Sequence, residues 1–244
     1  MILSGELRRR LEKWLRSVVL FILEIHDPAP KRIREPAIRT GTAVCRTVGF
    51  IPFPAYCQSM QEIVRKLIHL FFGLGIAGMV KYLDQPTATA ILAGGLFIGI
   101  IFVDLILRGY RIPGFSSLVE YGDRSDPLPG KGALFFAVSA LVCVILFPTP
   151  VVIPALVTLA VLDSVATLVG IRYGRRRIRN GKSWEGTIAG ILVTVLVLLP
   201  FLSSPGAVVV AFVSGLIELV SPVDDNLVIP VGVCILLWVF PTLI

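Results

Sequence analysis

From Glu62 onward the chain alternates between long apolar runs and short polar breaks. The apolar segments fall at 63–83, 86–108, 131–147, 150–173, 184–202, 205–221 and 227–243. A bilayer-crossing helix needs about 20 residues, with about 17 tolerated, so the pattern predicts seven transmembrane helices. The fold class expected is all-α, a polytopic membrane helix bundle. Upstream the pattern is different. Within residues 6–25, Arg8, Arg9, Arg10, Lys13 and Arg16 precede the apolar run Val18 to Ile25. That run is too short to span, and His26-Asp27-Pro28 follows it where a signal peptide would carry small residues. It reads as an amphipathic helix lying in the membrane interface. Residues 27–60, rich in Pro, Arg and Lys, read as a basic cytoplasmic linker. Two parts are therefore expected: 1–60 outside the bundle and 61–244 embedded in it.

Composition supports this reading. Of 244 residues, 55% are hydrophobic and 16% charged, against about 25% charged in soluble domains. Mean hydropathy is +0.86. A soluble enzyme, a disordered chain and a disulfide-stapled secreted domain are all excluded. Cys45, Cys57, Cys143 and Cys234 have no CxxC spacing, and thiols inside apolar runs behave as small hydrophobes.

The net charge of +7 does not point to nucleic acid once its placement is read. With seven spans, all of the 23 Lys and Arg residues except Lys81 fall on one side. The positive-inside rule then puts the N-terminus and that face in the cytoplasm.

The acids lie toward the same face. Glu62, Asp104, Asp163, Glu185 and Glu218 sit inside spans or at their cytoplasmic ends. Ionisable groups in hydrocarbon are costly and mark function. Asp163 is the deepest, nine residues before Arg172, or roughly 13 Å at the helical rise.

Two familiar patterns are decoys. Gly73-Leu74-Gly75-Ile76-Ala77-Gly78 spells GxGxxG, but a dinucleotide fingerprint needs a preceding strand; in an apolar helix small residues serve packing. Gly181-Lys182-Ser183 ends like a P-loop, yet Arg176 stands where the earlier glycine belongs.

Other groupings carry chemistry. Glu62, Arg65, Lys66 and His69 share one helical face, a cation cluster suited to phosphate or to a lipid hydroxyl. Pro129-Gly130-Lys131-Gly132 pairs backbone able to approach an anion with a point charge. Asp163, Thr167, Gly170 and Gly174 form a small-residue face beside an acid, open to a nucleotide or metal. Lys182, Gly186 and Gly190 form a second such face. Glu218, followed by Asp224-Asp225-Asn226, offers oxygen ligands of the kind Mg²⁺ prefers, and no cation in that loop balances them. Cations, glycines and carboxylates on one face suit phosphoryl transfer. The residues thus indicate a membrane enzyme that uses a phosphate-bearing substrate and acts on a lipid.

In order, these pieces resemble the dolichol kinase, phytol kinase and CTP-dependent diacylglycerol kinase family. The matching residues are Glu62…Arg65-Lys66…His69, Asp104…Arg108, Glu120, Pro129-Gly130-Lys131-Gly132, Asp163-Ser164-Val165-Ala166…Gly170…Gly174, Lys182-Ser183-Trp184-Glu185-Gly186-Thr187 and Glu218…Asp224-Asp225-Asn226…Pro230. They cover residues 60 to 230. The resemblance implies a kinase that moves the γ-phosphate of CTP to a lipid alcohol with Mg²⁺. It implies that Asp163, Thr167, Gly170, Lys182, Ser183, Glu185, Gly186 and Thr187 bind the nucleotide, joined by Arg65, Lys66, Gly130, Lys131 and Gly132. Asp163, Asp224, Asp225 and Asn226 are the expected metal ligands. Catalysis is expected of Asp163 together with His69 or Glu218, either of which could take the alcohol's proton. A CDP-lipid synthase resembling the phosphatidate cytidylyltransferases is the alternative activity. A transporter is the non-enzyme alternative, disfavoured by acids gathered at one face rather than at the midplane.

Overall fold

The computed structural model describes residues 54–110, 130–176, 178, 182–221 and 224–244, with side chains from Glu62 onward. The interfacial helix and linker expected over 1–60 lie outside the described residues up to residue 53, as do Glu120, Pro129, Arg177, Arg179 and Gly181; residues 54–60, expected in the linker, are already helical.

Seven α-helices carry the described chain: α1 Pro54–Tyr82, α2 Gln85–Leu107, α3 Lys131–Leu146, α4 Thr149–Tyr173, α5 Trp184–Leu198, α6 Ser204–Val220 and α7 Asp225–Val239. A short 3₁₀ turn, Pro241–Leu243, follows. The boundaries track the apolar runs because each run is bounded by a capping or breaking residue. Asp84 caps α2 by accepting from the Thr87 amide, with Pro86 as the second residue of the helix. Its carboxyl is held below the usual carboxylate range by those Thr87 contacts. Ser183, Ser203 and Asp224 cap α5, α6 and α7 in the same way. Such caps satisfy amides that have no partner within the helix.

The helix count meets the expectation; the lengths do not all do so. α2, α4 and Glu62–Tyr82 of α1 are long and apolar enough to cross a membrane. The other four have 15 to 17 residues, or about 22–26 Å at the helical rise. The physical reason is local. The run expected over 184–202 leaves the helix at Leu198 and continues as a turn. The run over 227–243 stops at Val239; Pro241 disfavours a helical conformation at Phe240, which leaves the helix with φ −120° and ψ 72°.

Short connections make neighbouring helices antiparallel. α4 is the axis: 83% of its apolar window is buried, against 17% for α2. α1, α5, α6 and α7 pack around α4. The core is a continuous set including Phe136, Leu156, Leu159, Leu162, Leu198, Val210, Ile229 and Leu237. Cys143 and Cys234 are buried free thiols within it.

The bundle has two unlike ends. At one, Gln85 donates to the Val144 carbonyl (2.6 Å), Phe147 meets Trp238 edge-on, and the Ser203 hydroxyl donates to the Leu243 carbonyl (2.9 Å). At the other end lie the starts of α3, α5 and α7, the ends of α4 and α6, and nearly every charge discussed below.

Candidate functional site

α4 brings Asp163 into the bundle, and α1 supplies its partner. Lys66 Nζ donates to both Asp163 oxygens at 2.5 Å, across 97 positions of sequence. Both residues are buried. Such a pair is tolerated only where geometry and further hydrogen bonds repay desolvation. The α1–α4 contact is therefore tight on either side of it. Ser164 Oγ donates to the Lys66 carbonyl (3.1 Å). Two turns further along α1, a Cβ on Gly73 would lie 2.7 Å from Ala160 Cβ.

His69, one turn beyond Lys66, places Nε2 3.7 Å from Asp163 Oδ2. That nitrogen is buried and makes no hydrogen bond among the described residues. The ring stands edge-on to Phe136 of α3, with centroids 5.2 Å apart. Arg65 turns to Glu62 instead (2.5 Å), so of the two adjacent cations only Lys66 reaches Asp163.

A second lysine builds the other half. Lys182 Nζ donates to Asp225 Oδ2 (2.5 Å) and to the Glu218 backbone carbonyl (2.6 Å), and lies 3.7 Å from Glu218 Oε1. It ties the end of α6 to the start of α7. This corrects the sequence expectation that no cation balances the acidic loop. The cation comes from the α4–α5 connection, which charge counting within the loop cannot see. Glu218 is buried, and its Oε2 has no hydrogen-bond partner among the described residues. Lys182 thus gathers Glu218 and Asp225 at the same end of the bundle as the Lys66–Asp163 pair.

The start of α3 joins them. Gly130 takes a left-handed conformation (φ 69°) before the helix begins at Lys131, which is where glycine is favoured. A Cβ on Gly132 would lie 3.2 Å from Asn226 Nδ2, and Ser139 Oγ donates to the Asn226 carbonyl (2.7 Å). Asp224 Oδ1 accepts from the Asn226 side chain (2.8 Å), leaving Asn226 Oδ1 without a partner among the described residues. Lys131 Nζ sits over the Phe135 ring.

Several expected nucleotide residues do other work. The faces of Gly170, Gly174, Gly186 and Gly190 are closed by the α4–α5 crossing rather than open to a ligand. A Cβ on Gly186 would collide with the Ala166 carbonyl; on Gly190 it would lie 3.1 Å from Leu162 and Ala166; on Gly170, 2.9 Å from Ser183 Oγ. The small residues are what lets two backbones approach. Ser183 is consumed as the α5 cap, accepting from the Gly186 amide (3.2 Å). Glu185 is exposed and accepts from the Arg176 amide (3.3 Å). Thr187 is buried with an unpartnered hydroxyl, and Thr167 is half-buried. Asp104 and Arg108 pair at 2.7 Å on the exposed end of α2, apart from the cluster.

Phe136 and Ser139 were not singled out from sequence, and Ser164 only as part of the motif that follows Asp163. Ser139 and Ser164 are small polar residues inside apolar helices, and that is the signal that could have found them. Phe136 gives no local signal.

The donor set is of the oxygen type that hard divalent cations take. All candidate ligands are oxygens, and Glu218 Oε2 and Asn226 Oδ1 are unspent. Yet among the described residues no three His, Cys, Asp or Glu side chains are grouped to hold a metal alone. Mg²⁺ in general is held by one or two protein carboxylates, with waters and substrate phosphates completing its shell.

No known family model matches the chain, and no solved structure matches it. Curated relatives do. An uncharacterized protein of Methanocaldococcus jannaschii is 37% identical over 180 residues, covering 70% of this chain and 90% of its own. A phytol kinase of Synechocystis sp. is 31% identical over 198 residues, covering 74% and 80%. A chloroplastic farnesol kinase of Arabidopsis thaliana is 29% identical over 198 residues, covering 69% and 62%. With identity to the phytol kinase running through most of both chains, this all-helical membrane protein belongs to the phytol kinase and farnesol kinase family, of polyprenol-kinase type.

Proposed function

We propose that this protein is a lipid alcohol kinase that transfers the γ-phosphate of CTP to the hydroxyl of an isoprenoid alcohol. One observation carries the reading: a buried lysine–carboxylate pair, Lys66–Asp163, and a half-buried one, Lys182–Asp225, lie at one end of a membrane bundle. The kinase names of the relatives supply the reaction class. The lopsided charge distribution supports placing this end at the cytoplasmic face.

The roles follow from the chemistry. A nucleoside triphosphate brings negative charge to an end where α3, α5 and α7 all begin, and helix N-termini favour anions. Lys66, Lys182 and Lys131 would turn to its phosphates. The carboxylates of Asp163 and Asp225 would be released to hold Mg²⁺, with Asp224, Asn226 and Glu218 beside them. Bound Mg²⁺ would supply neutralisation of the phosphate charge. Arg65 stands within the first turns of the same face. The alcohol oxygen bonds to the γ-phosphorus as the bond from that phosphorus to the β–γ bridging oxygen breaks, and CDP leaves. The hydroxyl proton goes to a buried acceptor. Among the described residues, His69 Nε2 and Glu218 Oε2 are the buried basic atoms without a hydrogen-bond partner.

The test uses purified protein in detergent with Mg²⁺ and CTP labelled separately on the γ-phosphate and on cytosine. Phytol, farnesol, a dolichol and a diacylglycerol are offered as acceptors. The expected result is γ-label on an isoprenoid alcohol with release of CDP. Cytosine label in lipid with pyrophosphate release would make it a cytidylyltransferase. Transfer from ATP but not CTP would overturn the donor.

A further inference from the structure

Around the charged cluster most helix pairs are closely packed at glycines. α1 and α4 close at Gly73 on Ala160. α4 and α5 close at Gly186 and Gly190, and α5 and α6 at Gly215, where a Cβ would lie 2.5 Å from Ile191. α6 and α7 close at Gly232 on Ile217, with Lys182 across their ends. α3 and α7 are joined by Ser139 and Gly132 against Asn226. The seam between α1 and α3 differs. Among the described residues its ring contacts are made from α3 by one side chain, Phe136, which meets His69 at 5.2 Å and Phe72 at 6.2 Å, both edge-on. α2, the neighbour of α1 in the chain, packs on α3 and scarcely touches α1.

One face of α1 grades along this seam from charge to hydrocarbon. Lys66, His69 and Phe72 follow at three-residue spacing, so each step goes about 4.5 Å deeper. Lys66 is spent on Asp163. His69 offers a buried, unpartnered nitrogen. Phe72 is 51% exposed, although it packs on a fully buried Phe136. This is the order of an alcohol with a hydrocarbon tail: a hydroxyl at the polar end, then an apolar body reaching the bilayer.

We propose that the α1–α3 seam, floored by Phe136 and edged by Phe72, is the acceptor site, where a single-chain isoprenoid alcohol places its hydroxyl at His69 Nε2. The single-chain acceptor rests on the kinase reading above; the location rests on the packing. It also divides the cluster. His69 serves the acceptor, while Glu218, held beside Lys182 and Asp225, serves the nucleotide side.

The experiment is photo-crosslinking of the full chain in nanodiscs, without nucleotide, using a farnesol-length alcohol that carries a diazirine in its tail. Adducts are mapped by mass spectrometry. Expected are adducts within residues 67–76 of α1 and 134–138 of α3, lost on competition with unlabelled farnesol. Adducts concentrated instead around Ile188 and Leu192 of α5 or Phe212 of α6, or seam adducts that farnesol does not displace, overturn the site. Phe72→Ala, at an exposed position, should raise the KM for the alcohol about five- to tenfold, as expected for losing part of a phenyl contact. The KM for nucleotide should not move; an unchanged alcohol KM counts against the site. The two readings fail separately. Competed seam adducts in a protein that phosphorylates no alcohol would sink the kinase and leave the site. Phosphorylation with adducts on α5 and α6 would do the reverse.

Discussion

Asp163 and Asp104 look alike in the sequence. Each lies in the C-terminal part of an apolar helix, and each has a basic residue close behind it. The structure separates them. Asp104 pairs with Arg108 one turn away at 2.7 Å, with side chains 55% and 68% exposed. Asp163 ignores the nearby Arg172 and pairs with Lys66 from another helix, with side chains 8% and 10% exposed. The first pair is screened at a helix end. The second stands in the most enclosed helix of the bundle, where a lone charge is costly. The same two chemical groups thus decorate one helix and fasten two others together. Burial makes the difference, and burial depends on which helix becomes the axis.

The sharpest way to break this comparison is to remove one member of each pair. Asp163→Asn or Lys66→Met leaves a buried charge uncompensated and should cost about 3–5 kcal/mol, read as a lower unfolding midpoint in detergent, with phosphotransfer lost. The double variant removes both charges. It should recover much of the stability and none of the activity, a coupling that a double-mutant cycle measures directly. Near-additive single effects would mean the pair is not the fastening it is taken to be.

Next in size are the glycines. Gly186→Val drives a side chain into the Ala166 carbonyl and should cost at least about 1–3 kcal/mol. On α2, Gly94 and Gly95 face open space, so Gly94→Ala should be neutral or slightly stabilising. Comparable losses at both positions in thermal scans would show that α2 is packed as α4 is.

A smaller effect concerns ligand exchange. If the carboxylates must leave their lysines to take a metal, Asp163→Asn should bind CTP more tightly without metal, because Lys66 is then free. A gain of about tenfold corresponds to roughly 1.4 kcal/mol. Lys66→Met should likewise bind Mn²⁺ alone more tightly, as followed by electron paramagnetic resonance. Weaker binding in both variants would contradict the exchange. The smallest change is expected at Arg108→Ala, within about 1 kcal/mol in stability and with activity retained. A collapse of activity there would bring Asp104 and Arg108 into the site.

Much of the architecture is legible along the chain because its causes are local. Seven apolar runs become seven helices, since each is bounded by Asp84, Ser183, Ser203, Asp224, a proline or a glycine. The helix ends were less legible. Leu199–Leu202 are apolar but not helical, and hydropathy does not distinguish the two states. The site was legible as a list and not as an arrangement. Lys66, His69, Asp163, Lys182, Glu218, Asp225 and Asn226 stand out as polar residues in an apolar chain, and they do gather at one end. Which of them touch was hidden. Arg65 and Lys66 are adjacent and equivalent on paper, yet one meets Glu62 and the other Asp163. The glycine faces beside Asp163 suggested room for a ligand, but backbone-to-backbone packing fills that room first.

By itself, then, the sequence determined what the bilayer and the local backbone dictate: a helical membrane bundle, its helix number, and the gathering of charge at alternate helix ends. Hydropathy, capping and spacing act over a few residues, so a linear reading captures them. Only the tertiary structure decided that α4 is the axis, that Lys66 and Lys182 are the counter-ions of Asp163 and Asp225, and that Phe136 stands beside His69. Those outcomes depend on contacts across dozens of positions. They are set by which small residues allow two helices to approach, a property of pairs of surfaces that no single stretch of sequence contains.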